Sequence, residues 1–129
     1  MQMSLRGRIV RAIACALVLT LVVGCDRPAL QFSPTTLPDA QVGSAYSATI
    51  TVSQAETPVY SATVAVGALP AGLDLTLDHS SVGDGHSYTI QIAGTPTVTG
   101  TFKFTIEADC NGTSVNGQTA TQAYTIVAK

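Results

Sequence analysis

The chain is 129 residues long, with 11% charged residues, 5% aromatic residues, no Trp and a formal net charge of −2. That length suits one domain. Six Lys and Arg against eight Asp and Glu give no excess of positive charge to neutralise phosphates, which argues against nucleic acid as a partner.

At the amino terminus Arg6, Arg8 and Arg11 form a positive region, followed by twelve uncharged residues, Ala12 to Val23. This layout predicts a secretory signal peptide over Met1–Gly24. As a helix the apolar run would span only about 18 Å, short of the ~30 Å hydrocarbon core that a permanent span crosses. The segment ends Leu21-Val22-Val23-Gly24-Cys25, which resembles the lipobox of bacterial lipoproteins. The resemblance implies cleavage between Gly24 and Cys25 and a diacylglycerol on the Cys25 sulfur, a nucleophile whose thiolate forms far more readily than an alkoxide. Acyl chains contribute about 0.8 kcal/mol per buried CH₂, enough for two or three of them to hold the protein on a membrane. Asp26, directly after that cysteine, resembles a sorting signal for retention in the inner membrane. Cleavage leaves Arg27, Lys103 and Lys129 against all eight acids, a net charge of −5 on 105 residues.

Residues 25–36, with Pro28 and Pro34, read as a lipidated start and a short tether that could include a first edge strand, and 37–129 as the folded domain. Within it, apolar residues fall at alternate positions with Thr and Ser between them, the pattern of strands with one buried face. The expected inward rows are Tyr46, Ala48, Ile50, Val52; Tyr60, Ala62, Val64, Val66; Leu69, Leu73, Leu75, Leu77; Tyr88, Ile90, Ile92; Phe102, Phe104, Ile106; and Tyr124, Ile126. Turns are expected where Gly, Pro, Asn and Asp cluster: Pro38–Gly43, Gln54–Pro58, Gly67–Gly72, Asp78–Gly85, Gly94–Gly100 and Asn111–Gly117. This spacing predicts an all-β, antiparallel sandwich of about seven strands. Once Cys15 is removed and Cys25 acylated, Cys110 has no partner. It continues the row Phe102, Phe104, Ile106, Ala108, so a buried thiol is expected.

Leu69-Pro70-Ala71-Gly72-Leu73, then Gly94-Thr95-Pro96 and Gly100-Thr101-Phe102-Lys103-Phe104-Thr105-Ile106, resemble the paired signatures of the putative-Ig, cadherin-like domains of bacterial surface proteins. The resemblance spans about Leu37–Lys129 and implies an immunoglobulin-like sandwich in which Pro70 and Gly72 shape one corner and Gly94–Gly100 turns the chain into the penultimate strand. Two features depart from it: Asp78–Ser87 inserts a longer hairpin loop, and the domain occurs once. A single copy lacks half the ligands of a calcium site between repeats, so Asp109, at the family's acidic position, is no calcium site alone.

Both histidines lie in that inserted loop, and Asp78, His79, Asp84 and His86 are the candidate ligands for zinc or another divalent ion. A solvated hairpin tip accounts for the same residues, since their spacing matches no established site. No nucleophile elbow, phosphate loop or zinc-protease signature is present, and the pair Glu107 and Asp109 reads as surface charge. The expectation is a non-enzymatic, lipid-anchored envelope protein, without cofactor beyond its covalent lipid, whose domain binds another envelope or surface protein or a glycan. The candidate binding loops are Asp78–Ser87 and Asn111–Gly117, including Asn111 and Asn116, with edge-strand pairing as a second route. Against it stand a structural subunit of an envelope complex and a metal-dependent hydrolytic enzyme using His79 and His86.

Overall fold

The structure, a computed structural model, describes residues 28–112 and 117–129. Gly24, Cys25 and Asp26, with the whole expected signal and lipidation site, lie outside the described residues, as does Asn116. The described residues form seven strands: β1 (Gln31–Ser33), β2 (Tyr46–Ser53), β3 (Val59–Gly67), β4 (Leu73–Val82), β5 (Ser87–Gly94), β6 (Gly100–Cys110) and β7 (Thr119–Ala128). They form two antiparallel sheets, one in the order β1-β2-β5-β4 and one in the order β3-β6-β7. That division into four and three is the constant-type immunoglobulin arrangement.

Alternation explains the layering. In β2 the residues Tyr46, Ala48, Ile50 and Val52 are buried while the Ser and Thr between them are not. The register pairs Ala48 with Ile92 and Ile50 with Ile90 on β5, so one face of the sheet is continuous hydrocarbon. From the other sheet Phe104, Ile106, Ala108 and Cys110 of β6 face it, with Tyr124, Ile126 and Ala128 of β7. Ile50, Ile90, Ile92, Ile106 and Ile126 are all fully buried, each contributing about 1.5–3 kcal/mol relative to exposure. The centre of the core is thus aliphatic, and Phe32, Tyr46, Tyr88, Phe104 and Tyr124 are buried with it; Phe104 and Tyr124 lie at a centroid distance of 6.0 Å.

The row expected on β3 is corrected. Val59 is buried instead of Tyr60, which is 53% exposed, and Val66 is 64% exposed; only Ala62 and Val64 between them pack against the core. The register against β6 slips between Val59 and Ser61 and again between Val64 and Val66. Each bulge inserts one residue and so reverses which alternate set faces inward.

Before β2 the chain belongs to both sheets. Leu30 and Phe32 are buried in the core and β1 pairs with β2, so the residues expected as tether contribute the edge strand from Gln31. After Ser33 the chain crosses over, and Ala40 forms a parallel bridge to Ala128 on β7. Two tyrosine hydroxyls hold this crossover: Tyr124 Oη donates to Pro34 O at 2.9 Å and Tyr46 Oη to Pro38 O at 3.0 Å. A Lys129–Asp39 ion pair at 2.6 Å, exposed on both sides, closes its end; pairs of this kind contribute little.

Candidate functional site

The loops divide between the two ends of the sandwich. At one end lie the segment before β2, the β3–β4 corner and the β5–β6 connection, joined by Gly43 N to Pro96 O at 2.9 Å and Thr97 N to Ala71 O at 2.9 Å. The two sequence signatures meet here. Thr95 N donates to Gly72 O at 3.1 Å, and a Cβ on Gly94 would lie 2.1 Å from Gly72 O while one on Gly72 would lie 2.0 Å from Thr95 O. Both glycines have positive φ, +94° and +141° for Gly72 and Gly94, a conformation that side chains other than glycine's resist. Pro70 and Pro96 are fully buried beside them. The signatures form a structural clasp between two corners.

The other end gathers Pro28, the β2–β3 loop, the β4–β5 turn and the loop after β6. The nominated hairpin is here, as is Asn111 at the start of the other nominated loop, of which residues 113–116 lie outside the described residues. The inserted hairpin is more regular than expected: β4 continues through His79 to Val82, which pairs with Ser87, leaving Gly83–His86 as the turn. Asp78 Oδ1 accepts from Ser80 N at 2.9 Å, where the β4 register shifts, and Asp84 Oδ1 from His86 N at 2.9 Å in the turn, so both acids are engaged by local backbone. His86 Nδ1 donates to Ala55 O at 2.8 Å, and Ala55 N donates back to His86 O at 3.0 Å. The imidazole thereby ties the hairpin to the β2–β3 loop, while His79 stays exposed on β4. Among the described residues no three of His, Cys, Asp and Glu converge as a metal site requires, and no serine hydroxyl bonds either histidine.

One residue that the sequence did not single out organises this end. Gln118 Nε2 donates to Pro28 O at 2.7 Å and to Gln54 O at 3.0 Å, and its Oε1 accepts from Glu56 N at 2.7 Å. Two segments far from Gln118 in the chain, at Pro28 and at Gln54–Glu56, so converge on one amide, a role that no local pattern announces. Gln54, whose carbonyl Gln118 holds, has φ of +67°; this left-handed conformation costs about 1 kcal/mol or more outside glycine. Asn111 completes the end through its backbone, accepting from Thr57 Oγ1 at 2.6 Å and donating to Pro58 O at 2.9 Å. Between these segments Pro28, Gln54, Glu56, Asp84 and His86 border an open depression of about 420 Å³.

Cys110, at the base of the same loop, is buried at 3% exposure, as the alternate row indicated. Burial, then the Asp109 carboxylate, pushes its thiol pKa up, opposite to what a nucleophile needs. Asp109 itself accepts from Thr119 Oγ1 at 2.8 Å on the outer face.

No match is found among curated protein sequences. Among solved structures the fold is similar to the ASH / PapD-like domain of human CEP192, at 12% identity and a TM-score of 0.58, covering 87% of this chain and 95% of that one. It is also similar to the SrpA adhesin of Streptococcus sanguinis, at 12% identity and a TM-score of 0.54, covering 81% of this chain and 57% of that one. At such identity the likeness speaks for the fold alone. Sequence is more specific, because the model of a family described as Putative Ig domain matches residues 28–129, the span in which the two signatures clasp; the chain belongs to that family.

Proposed function

We propose that this protein is a lipid-anchored, non-enzymatic binding module of a bacterial cell envelope, presenting its Ig-like domain to another envelope or surface protein or to a glycan. The observation that carries the reading is the pairing of a lipobox-like Leu21–Cys25 segment with a single Ig-like sandwich beginning at once after it. The fold likeness to an adhesin supports a binding role. The buried, pKa-raised Cys110 and the histidine occupied by a backbone carbonyl support a role without catalysis.

The anchor would also set an orientation. Pro28 is held at the Gln118 end of the sandwich, and it lies three positions after Cys25, at most about 10–11 Å of extended chain. The hairpin turn Gly83–His86 and the Asn111 loop would then stand next to the bilayer, and the clasp end with Lys129 would point away from it. A partner of those loops would have to approach within the layer next to the membrane.

Mass spectrometry of the membrane-extracted protein tests the anchor: acyl mass on an amino-terminal Cys25 is expected, and an unmodified Cys25 or an intact Met1–Gly24 segment sinks it. Crosslinking in intact cells tests the role, with an envelope protein or glycan expected in the adduct. Co-purification in a complex of fixed stoichiometry would favour the structural-subunit reading instead.

A further inference from the structure

Four strand edges close the two sheets, and three of them are blunted. β1 has three residues and runs into Pro34. β4 carries Asp74, Asp78 and His79 and a register break, and β3 is bulged twice. Charges, Pro and bulges are the devices by which proteins discourage strand addition. β7 has none of them: its ten residues are uncharged, contain no Pro or Gly, and pair with β6 in unbroken register.

The chain itself already pairs backbone onto this edge, at the isolated parallel bridge of Ala40 to Ala128. Val127 O and Lys129 N and O bond Ala40 and Val42, and by antiparallel alternation Thr119, Thr121, Ala123 and Thr125 turn their N–H and C=O the same way. Ala40–Val42 covers only the last part of the edge. From Thr119 to Thr125 the described residues supply no backbone partner, and Ala123 O is met at 3.1 Å by the side chain of Gln122, a placeholder that an incoming N–H can displace. One strand in, Asp109 and Glu107 lie beside Thr119 and Thr121, and Lys103 beside Thr125. The outer face next to the edge is therefore acidic at one end and basic at the other.

We infer that Thr119–Thr125 is a docking edge for an extended segment of another polypeptide, which adds to the β3-β6-β7 sheet antiparallel to β7. Its outward side chains are uncharged and β-branched in the middle, basic opposite Thr119 and acidic opposite Thr125. A second copy fits less well. Two β7 edges pair antiparallel only with the domains head to tail, which would set two Cys25 anchors on opposite ends. This deepens the binding-module reading by naming its surface and the chemistry of its partner.

The test uses the full chain in detergent micelles and a synthetic peptide, acetyl-Glu-Val-Thr-Val-Thr-Val-Lys-amide, followed by amide NMR and hydrogen exchange. Expected is saturable binding with slowed exchange at Thr121, Ala123 and Thr125, lost in Ala123→Lys with an otherwise unchanged spectrum. Thr76→Lys, on the β4 edge, leaves it intact. The peptide with Glu and Lys interchanged should bind at least three-fold more weakly. No perturbation at millimolar peptide, or perturbation centred on β3, β4 or the loops, overturns the inference. Concentration-dependent protection of the same amides without peptide would assign the edge to a second copy and overturn the partner named here. If the peptide binds as expected but crosslinking in cells finds no partner, the binding-module reading fails while the edge assignment stands.

Discussion

Tyr124→Phe separates two contributions of one hydroxyl. Tyr124 is buried at 3% exposure on β7, and its hydroxyl reaches Pro34 O in the crossover at 2.9 Å. Deleting it removes one hydrogen bond, a net loss of about 1 kcal/mol at pH 8, where the phenol is neutral folded and unfolded. Burial also pushes its pKa from 10.0 up to about 12. A raised folded pKa means that this contribution is complete below pH 10 and is lost as pH rises towards 12, because the unfolded chain releases the proton first. At pH 11 the loss is about 1.4 kcal/mol, one tenfold difference in ionisation. The phenylalanine variant has no such loss, so it should be about 1 kcal/mol less stable at pH 8, cross the parent between pH 10 and 11, and be more stable by about 0.4 kcal/mol at pH 11. Urea denaturation at pH 8, 10 and 11 measures this, and lysine titrations common to both cancel in the difference. A gap that stays constant to pH 11 refutes the buried neutral phenol. A variant no less stable at pH 8 refutes the hydrogen bond.

Gly94→Ala should be among the most damaging single changes, costing roughly 3 kcal/mol or more, because its Cβ would overlap the Gly72 carbonyl at 2.1 Å; a thermal melt within a few degrees of the parent would remove the clasp argument. Gln118→Ala should cost about 1–2 kcal/mol through three lost hydrogen bonds, and its signature is faster amide exchange at Ala55 and Glu56. His86→Ala should cost about 1 kcal/mol and the exposed His79→Ala almost nothing; calorimetric titration of the parent with zinc should give no saturable heat, and a one-to-one isotherm lost in the double variant would restore the metal reading. Cys110 should resist alkylation in the folded protein and react on unfolding, followed by peptide mass spectrometry.

Much of the fold is legible in the chain because a strand with one buried face writes its own period into the sequence. The rows on β2, β5, β6 and β7 are inward as read, Cys110 included, and the two glycine-proline signatures mark corners that the structure joins. β3 misled because a bulge adds a residue without changing its composition: nothing in Tyr60-Ser61-Ala62-Thr63-Val64-Ala65-Val66 says that the alternation reverses twice. The inserted hairpin misled because Asp, His, Ser and Gly read as a loop, while pairing with β5 extends β4 to Val82.

The sequence alone determined the all-β class, most of the inward rows and the family, since these depend on local alternation and on short signatures. Tertiary structure decided what depends on residues distant in the chain. Gln118 became the junction of three segments, the hydroxyls of Tyr46 and Tyr124 became the clamp on the crossover, and His86 became a tie to Ala55 instead of half of a histidine pair. It also decided which edges are blunted and which is open, because an edge is a property of strand order, and strand order is set by long-range pairing that no local period encodes.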